Sequence, residues 1–368
     1  MEPFKHLLNE KAVRQLAAEL ARAYNGFDTR AFVRESLDGL EALELTPRAW
    51  HIAEAMQRHL PQPFARAGDA LLRSFGPEAP SSGEGGVSNM RYLPHVYFVQ
   101  KYGLVDFEAA MRVQYELTKR FTAEWSIRAF IEAYPEQTMA RLRAWTGDEN
   151  QHVRRLVSEG TRPRLPWASR LRAFQQDPAP VLALLELLKD DAERYVQRSV
   201  ANNLGDIAKD HPDLAVEVCR RWLPGREWIV RHALRLLVKQ GHAGALSILG
   251  AGAKPQVRIE NARVTPAKVA LGGAVRFSFA LVSAAKAAQD LLVDYAVYYA
   301  KANGEAKLKV FKLRRIALAA GGSVELEGRV SLKDLTTRKH YPGRHRIEAR
   351  INGVAFPLAD FTVTAALR

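Results

Sequence analysis

The chain has 368 residues, of which 47% are hydrophobic and 26% charged, and its formal net charge at pH 7 is +14. This length is typical of two or three domains with sizeable cores, and the positive charge favours phosphate-rich or anionic-lipid partners. The single cysteine, Cys219, excludes an intramolecular disulfide and a cysteine cluster for zinc. The opening MEPFKHLLNEK lacks the apolar core of a secretory signal, and no run approaches the ~18 apolar residues of a membrane span, so we expect a soluble cytoplasmic protein.

Helical periodicity runs from about residue 10 to residue 250, with apolar residues every three or four positions. It predicts helices at residues 11–24, 29–42, 47–59, 64–74, 105–117, 122–133, 137–144, 150–158, 179–189, 193–209, 213–222 and 227–239. Short segments that contain Pro, Gly or Asp separate these predicted helices. The stretch GPEAPSSGEGGVSN (76–89) predicts a flexible surface loop.

Three of the predicted helices resemble one another. DENQHVRRLVSEG begins at 148, DAERYVQRSVANNL at 191 and REWIVRHALRLL at 226, and each places a valine before a basic face: Val153, Val196 and Val230. Spacings of 43 and 34 residues are typical of irregular HEAT-like helical pairs that stack into a solenoid. The alternative is an ordinary helical bundle with coincidental similarity.

The pattern changes at AGAKPQ (251–256), after which apolar and polar residues alternate and Val and Phe are frequent. About seven short strands in roughly 110 residues predict a two-sheet sandwich of immunoglobulin-like type. We therefore predict a mainly α protein, with a HEAT-like α-solenoid at 1–253 followed by a C-terminal immunoglobulin-like β-sandwich at 254–368.

The predicted β domain is strongly basic. Residues 255–368 contain 19 Lys and Arg against 9 Asp and Glu, a net charge of +10, concentrated in KLKVFKLRR (307–315) and TTRKHYPGRHR (336–346). Lysine-rich solvated strand faces are common on edge strands, but two basic clusters in one small domain favour phosphate contact. The candidate residues are Lys312, Arg314, Arg338, Lys339 and Arg344.

Acidic residues recur among arginines on the predicted helix faces. Arg155 and Glu159 are four residues apart and share a helix face, as do Asn202 and Asp206. Stacked repeats would bring three carboxylates, Glu124, Glu159 and Asp206, to one surface among Arg128, Arg155, Arg162, Arg164 and Arg198. The simpler alternative is that each carboxylate pairs with a neighbouring arginine on its own helix, a contact worth only ~0.3–0.5 kcal/mol.

The segment SEGTRPRLPW (158–167) is the most unusual part of this region. Gly160, Pro163 and Pro166 predict a fixed loop after a helix, in which two arginines alternate with turn residues before Trp167. Rigidly held arginines recognise phosphate better than mobile ones.

These motifs resemble those of the AlkC-type DNA alkylation repair glycosylases, a branch of the HEAT-like-repeat glycosylases. The resemblance is carried by LTKRFTAEWSIRAFI (117–131), NQHVRRLVSEGTRPRLPWA (150–168), YVQRSVANNLGDIAKDHPD (195–213), VFKLRRIAL and TTRKHYPGRH, together with LEL (43–45) and RYLPHVYFVQKYG (91–103). It covers nearly the whole chain, and Trp125 departs from a phenylalanine expected in many relatives. AlkD-type relatives, the near alternative, lack the basic β domain.

The resemblance implies an enzyme that removes small cationic alkylated bases, notably 3-methyladenine and 3-methylcytosine, from DNA. We expect a monomeric, monofunctional glycosylase that acts on double-stranded DNA without a metal or cofactor. It implies Glu124, Glu159 and Asp206 as catalytic acids, and Trp167 with the Arg162/Arg164 loop as part of the DNA-facing surface. Trp125 and Trp167 are candidates for stacking on the sugar or base of the lesion, and the alternative for each is a place in the core. The remaining expected DNA contacts in the helical region are Arg128, Arg154, Arg155, Arg162, Arg164, Arg198, Asn202, Asn203 and Lys209. The ten histidines form no ligand-spaced motif.

The expected chemistry explains carboxylates inside a cationic surface. A base that already carries positive charge leaves readily, so carboxylates need only stabilise an oxocarbenium-like sugar and position water. Whether the base is flipped out of the duplex stays open. A non-catalytic HEAT-repeat DNA-binding or scaffolding protein is the second hypothesis, and an RNA-binding or membrane-surface protein the third.

Overall fold

The computed structural model describes residues 4–80, 89–251, 254–335 and 338–365. The chain forms two compact units: unit 1 comprises Met1–His211 and Gly225–Ala233, and unit 2 comprises Pro212–Pro224 and Leu234–Arg368. These units do not divide where helices give way to strands, because three helices belong to unit 2. Residues 81–88 of the predicted surface loop lie outside the described residues.

The helices largely follow the predicted pattern. In chain order the described α-helices are α1 Glu10–Ala23, α2 Thr29–Leu37, α3 Leu45–His59, α4 Phe64–Ser74, α5 Leu93–Tyr102, α6 Phe107–Thr118, α7 Ser126–Ala133, α8 Pro135–Trp145, α9 Gln151–Gly160, α10 Arg172–Gln176, α11 Ala179–Leu188, α12 Arg194–Ile207, α13 Pro212–Trp222, α14 Glu227–Ala233, α15 Arg235–Gln240 and α16 Ala243–Ile248. Helices α13, α15 and α16 belong to unit 2.

Polar side chains define where several helices of unit 1 begin. The side-chain oxygens of Asn9, Asp28, Asp106 and Asn150 each accept a hydrogen bond from a backbone N–H in the first turn of α1, α2, α6 and α9, respectively. Such caps satisfy donors that a helix leaves unpaired, and each contributes about 1 kcal/mol. The cap at Asn150 sets the start of α9, which carries Arg155 and Glu159.

The three similar sequence segments form helices that pack in succession. Helix α9 packs against α12, and α12 packs against α14. The shared valines, Val153, Val196 and Val230, are each fully buried. The HEAT-like repeat predicted from their spacing is therefore present, and it brings the polar faces of α9 and α12 side by side.

Unit 2 contains the predicted sandwich, with eight strands in the described residues rather than about seven. They are β1 Val257–Thr265, β2 Lys268–Ala270, β3 Ala274–Ser283, β4 Gln289–Ala300, β5 Ala306–Leu318, β6 Ser323–Ser331, β7 Gly343–Ile351 and β8 Val354–Thr364. One sheet has the order β1-β3-β6 and the other β2-β8-β7-β4-β5. All neighbouring strands are antiparallel except β2 and β8.

A single apolar core lies between the two sheets. Val275, Phe277 and Phe279 of β3 face Val293 of β4 and Ile347 of β7, and all are at most 2% exposed. Alternate residues of β3 point inward, as the alternating sequence predicts. Within the described residues, no helix is both long and apolar enough to cross a membrane.

Candidate active site and DNA-binding surface

Glu124, Glu159 and Asp206 are brought together in unit 1 by two arginines. Arg155 Nη1 lies 2.6 Å from Glu124 Oε2, and Arg155 Nη2 lies 3.5 Å from Glu159 Oε1. Arg162 continues the chain, with Nη1 2.6 Å from Glu159 Oε1 and Nε 2.7 Å from Asp206 Oδ2. We call these five residues the carboxylate–arginine chain.

Two of the three shortest contacts in the carboxylate–arginine chain connect separate elements of the fold. Arg155 on α9 reaches Glu124 ahead of α7, and Arg162 after α9 reaches Asp206 on α12. The i,i+4 contact between Arg155 and Glu159 is the longest of the set, at 3.5 Å. The 2.6 Å contact between Arg162 and Glu159 is also local in sequence, at i,i+3, so the arrangement combines local pairs with two contacts that depend on the tertiary fold.

Glu159 is contacted by more side-chain donors than either of the other two acids. Its Oε1 meets both arginines, and its Oε2 accepts a hydrogen bond of 2.6 Å from the Ser199 hydroxyl. Burial by itself would raise the pKa of Glu159, but Arg155, Arg162 and the Ser199 hydrogen bond lower it below the ordinary glutamate value. The carboxylate is therefore ionised although it is only 7% exposed.

Arg155 is held by more than its two carboxylates. Its Nη1 donates to Thr122 Oγ1 at 3.2 Å, and its guanidinium lies 5.4 Å from the centre of the Tyr195 ring. Burial lowers the pKa of Arg155, whereas the neighbouring Glu124 and Glu159 raise it above the ordinary value. Thr122 also donates to Glu124 Oε2 at 3.1 Å, so this acid is fixed by two donors.

Asp206 is the last acid of the carboxylate–arginine chain, on the side nearest to solvent. Its Oδ1 accepts a hydrogen bond of 2.7 Å from Lys209, whose side chain is 40% exposed. Asp206 itself is only 2% exposed. The three carboxylates and the three cations, Arg155, Arg162 and Lys209, therefore form a cluster whose formal charges balance.

Arg128 occupies a different place from the DNA-facing one expected from the sequence. It is 2% exposed, and it donates to the carbonyl oxygens of Gly160, Arg162 and Ser169 at 3.0, 2.8 and 2.5 Å. Burial lowers its pKa to about 10. Its geometry is that of a brace for the loop between α9 and α10, because its Nη donors are used within the protein.

Other expected DNA contacts also form internal bonds. Arg154 makes a two-pronged ion pair with Asp191, at 2.6 and 3.1 Å, and Arg164 makes one with Asp210, at 2.8 and 2.5 Å. Asn203 is fully buried and donates from Nδ2 to the Ser158 carbonyl oxygen at 2.7 Å. These three residues join α9 and its following loop to the next repeat.

Two expected contacts on α12 remain accessible. Arg198 is exposed and has no ion pair or hydrogen bond to another residue in the described part of the chain. Asn202 is half-buried, and its Oδ1 lies 2.9 Å from His232 Nε2 on α14. Arg198 precedes Ser199 on the helix that also carries Asp206.

The two tryptophans line one cavity of about 330 Å³ in unit 1, with Phe4, Met90, Leu93 and Tyr97 among its other walls. Trp167 is 77% exposed and has a left-handed φ of 65°. Trp125 is half-buried, and its Nε1 has no hydrogen-bond partner within the described residues. Glu44 and Leu45 of the LEL segment also line the cavity, so both minor motifs of the resemblance contribute to it.

The basic residues expected in the β domain form a cationic cavity and exposed strand positions. A cavity of about 500 Å³ in unit 2 is lined by Lys301, Lys307, Lys309, Arg338 and Lys339, and by no carboxylate of the described residues. Arg338 lies over the Tyr299 ring, 5.2 Å from its centre. Lys312 and Arg314 are exposed on β5, whereas Arg344, also exposed, pairs with Asp360.

Sequence reasoning missed the uncharged residues that hold the acids. The Ser199 hydroxyl donates to Glu159, and the Thr122 hydroxyl donates to Glu124. The Tyr195 ring packs against the Arg155 guanidinium. Ser199 lies seven residues before Asp206, a spacing that places both on one helix face. That spacing was the available signal, although single Ser and Thr residues are too common to stand out.

Comparisons with known proteins agree with this architecture. Residues 118–235 match the family described as DNA alkylation repair enzyme, and residues 258–365 match the C-terminal Ig-like domain of the uncharacterised protein YhaZ. The uncharacterized protein YhaZ of Bacillus subtilis strain 168 is 34% identical over 367 residues, covering 99% of this chain and all of that protein.

A solved structure extends the similarity to three dimensions. The alkylpurine DNA glycosylase AlkC of Pseudomonas fluorescens, bound to DNA containing an abasic site analog, superposes with a TM-score of 0.91 and 39% identity, covering 99% of this chain and 100% of that one. Both the helical region and the Ig-like β-sandwich are included in that coverage. The chain belongs to the AlkC family of DNA alkylation repair glycosylases.

Proposed function

We propose that this glycosylase hydrolyses the N-glycosidic bond of cationic alkylated bases, 3-methyladenine and 3-methylcytosine, in double-stranded DNA, and that it acts as a monomer. The observation that carries the proposal is the carboxylate–arginine chain, which holds three acids against two arginines within one buried cluster. The related Pseudomonas protein is named an alkylpurine glycosylase and is bound to abasic-site DNA, which supports the substrate class.

The chemistry follows from the charge of the lesion. As the bond between C1′ and the base nitrogen lengthens, a cationic base becomes neutral and the sugar becomes positive. Carboxylates that are already fixed stabilise that sugar without reorganising at the moment of reaction. A neutral base would leave as an anion unless protonated, and Arg155 and Arg162 hold the pKa of Glu159 below its ordinary value, so this acid is a poor proton donor and cationic lesions are favoured.

We assign the attacking water to Glu124. All contacts of its carboxylate within the described residues go to Oε2, from Arg155 and Thr122, which leaves Oε1 available as an acceptor. Both oxygens of Glu159 and both of Asp206 already accept from protein donors. A carboxylate with one oxygen anchored and the other available can orient water and take its proton.

The proposed DNA contacts are mainly exposed residues: Arg198, Lys209, Trp167, Lys312, Arg314, Lys339 and Arg344. The half-buried Asn202 and Arg338 are proposed with them. Arg128, Arg154, Arg155, Arg162, Arg164 and Asn203 are instead given supporting roles, because their side-chain donors are engaged within unit 1. Trp125 and Trp167 are proposed to contact the lesion or its sugar from their shared cavity.

The direct test is release of free base from duplex DNA carrying 3-methyladenine or 3-methylcytosine, measured by chromatography under single-turnover conditions. We expect the wild-type protein to release both bases and to leave the resulting abasic site uncleaved. Tight binding of methylated DNA without any base release would support the non-catalytic DNA-binding alternative.

A further inference from the structure

Ser199 contacts the oxygen of Glu159 that neither arginine of the site approaches. It lies on α12, is 2% exposed, and donates from Oγ to Glu159 Oε2 at 2.6 Å. Arg155 and Arg162 both approach Oε1. Within the described residues, Oε2 of this buried acid therefore has Ser199 as its only donor.

We propose that Ser199 is a positioning residue whose hydroxyl fixes the plane of the Glu159 carboxylate in the reactive arrangement. The assignment of a reactive role to Glu159 rests on the proposed function. The contact itself is independent of that role, since it is defined by the two side chains alone.

The geometry explains why a second donor is needed. The two arginines approach one oxygen of the carboxylate and leave the other to Ser199. A hydrogen bond to that second oxygen, from a different helix, adds a restraint on the carboxylate plane that the arginines do not supply. Without it, Oε2 would be a buried acceptor with no partner, which favours either rotation or protonation.

One helix would then orient two acids. Asp206 is on α12 itself, seven residues after Ser199 and on the same face. Through Ser199, α12 also sets the orientation of Glu159 on the preceding repeat. The groups that face Glu159 are Arg155 from α9, Arg162 from the following loop, and Ser199 from α12, while Asp206 and Tyr195 of α12 adjoin those arginines.

The test compares Ser199→Ala with Ser158→Ala in the full chain. Ser158 is a matched control, because it precedes Glu159, is fully buried, and its Oγ has no hydrogen-bond partner among the described residues. We expect Ser199→Ala to slow single-turnover base release roughly 10- to 100-fold at unchanged DNA affinity. Ser158→Ala should keep the wild-type rate, and Ser199→Thr, which restores a hydroxyl, should recover most of the loss.

A second measurement does not depend on activity. The pKa of Glu159 can be followed by ¹³C NMR of its side-chain carboxyl, assigned by comparison with Glu159→Gln. Losing a donor to the ionised form should raise this pKa in Ser199→Ala and leave it unchanged in Ser158→Ala. Circular dichroism and thermal unfolding would verify that both variants are folded.

The outcomes separate the two proposals. If wild-type protein releases no base, the proposed function is wrong, and the NMR comparison still decides whether Ser199 controls Glu159. An unchanged Glu159 pKa in Ser199→Ala, or an equal loss of rate in both serine variants, would overturn the positioning role.

Discussion

Arg155 Nη1 lies 2.6 Å from Glu124 Oε2, although the two residues belong to separate elements of the chain. Arg155 is farther, at 3.5 Å, from Glu159 on its own helix. The arginine is thus committed mainly to a tertiary contact, and the position of α9 against the segment before α7 controls the spacing of both acids.

Replacing Glu159 by Gln should remove charge with little change of volume. We expect base release to fall by about 10²–10³, the usual effect of losing one preorganised electrostatic contact to a transition state. DNA affinity should stay the same or rise, because one negative charge near the phosphates is lost. Single-turnover release and fluorescence anisotropy measure the two quantities.

The exposed Glu149 is a suitable control for that experiment, since it lies just before α9 and its backbone carbonyl, not its side chain, binds Arg154. Glu149→Gln should leave both rate and affinity as in the wild type. A Glu159→Gln protein with full activity would remove this acid from the mechanism.

Arg162→Ala should destabilise the protein much more than Arg164→Ala. Arg162 is 8% exposed and neutralises both Glu159 and Asp206, so its loss leaves buried carboxylates short of a partner, at a cost of about 3–5 kcal/mol. The Arg164–Asp210 pair is more accessible, with side chains 24% and 20% exposed, and should contribute about 1 kcal/mol or less. Urea unfolding at pH 7 gives both values, and equal losses would contradict the distinction.

The cationic cavity of unit 2 should contribute to DNA affinity through phosphate contact. Substituting both Arg338 and Lys339 with Ala should weaken binding to any duplex and reduce the slope of log K against log salt by up to about 0.9 per lost contact. Lys286→Ala, an exposed lysine of the same unit that does not line this cavity, serves as the control. An unchanged slope in the double variant would exclude the cavity as a phosphate site.

His95 predicts a loss of stability at acidic pH. It is fully buried among Phe75 and Tyr92, and burial, with a smaller effect of Arg91, lowers its pKa to about 3 from an ordinary 6.5. The unfolded chain therefore binds this proton first as pH falls. The contribution of His95 to the free energy of unfolding is therefore complete above about pH 6.5. As the pH falls below that value, this contribution is lost at up to ~1.4 kcal/mol per pH unit.

The variant His95→Phe tests this assignment. It retains an aromatic ring but cannot bind a proton. Between pH 7 and pH 5, the free energy of unfolding should therefore decrease in both proteins, but by about 2 kcal/mol less in the variant than in the wild type. Denaturant titrations at both pH values provide the comparison. Parallel pH profiles would show that His95 does not control acid sensitivity.

The sequence predicts most helices well but not those without a polar face. The predicted helix at 64–74 coincides with α4, whereas α5 was missed because Leu93 through Val99 are all buried and show no amphipathic period. The predicted helix at 227–239 is divided into α14 and α15 at Leu234. Helices α10 and α16 are too short for a periodic signal.

For the site, spacing identified which charged residues assemble but not which atoms they meet. Arg128 stands four residues after Glu124, a spacing that predicts an ion pair, yet the fold offers it three backbone carbonyls instead. Ser199 could not be distinguished from other serines until α9 and α12 were seen to pack together. Long-range contacts of this kind depend on tertiary packing, which local pattern does not contain.

Gly160 determines how much change this region tolerates. A methyl group there would lie 2.5 Å from Ile127 Cγ2, so the Ile127 side chain or the helices α9 and α7 would have to shift before any larger residue could be accommodated. Glu159 precedes this glycine, and Arg128 follows Ile127. An alanine at position 160 adds only one carbon and two hydrogens and no charge, yet it would shift a proposed catalytic acid and the brace of the neighbouring loop at the same time.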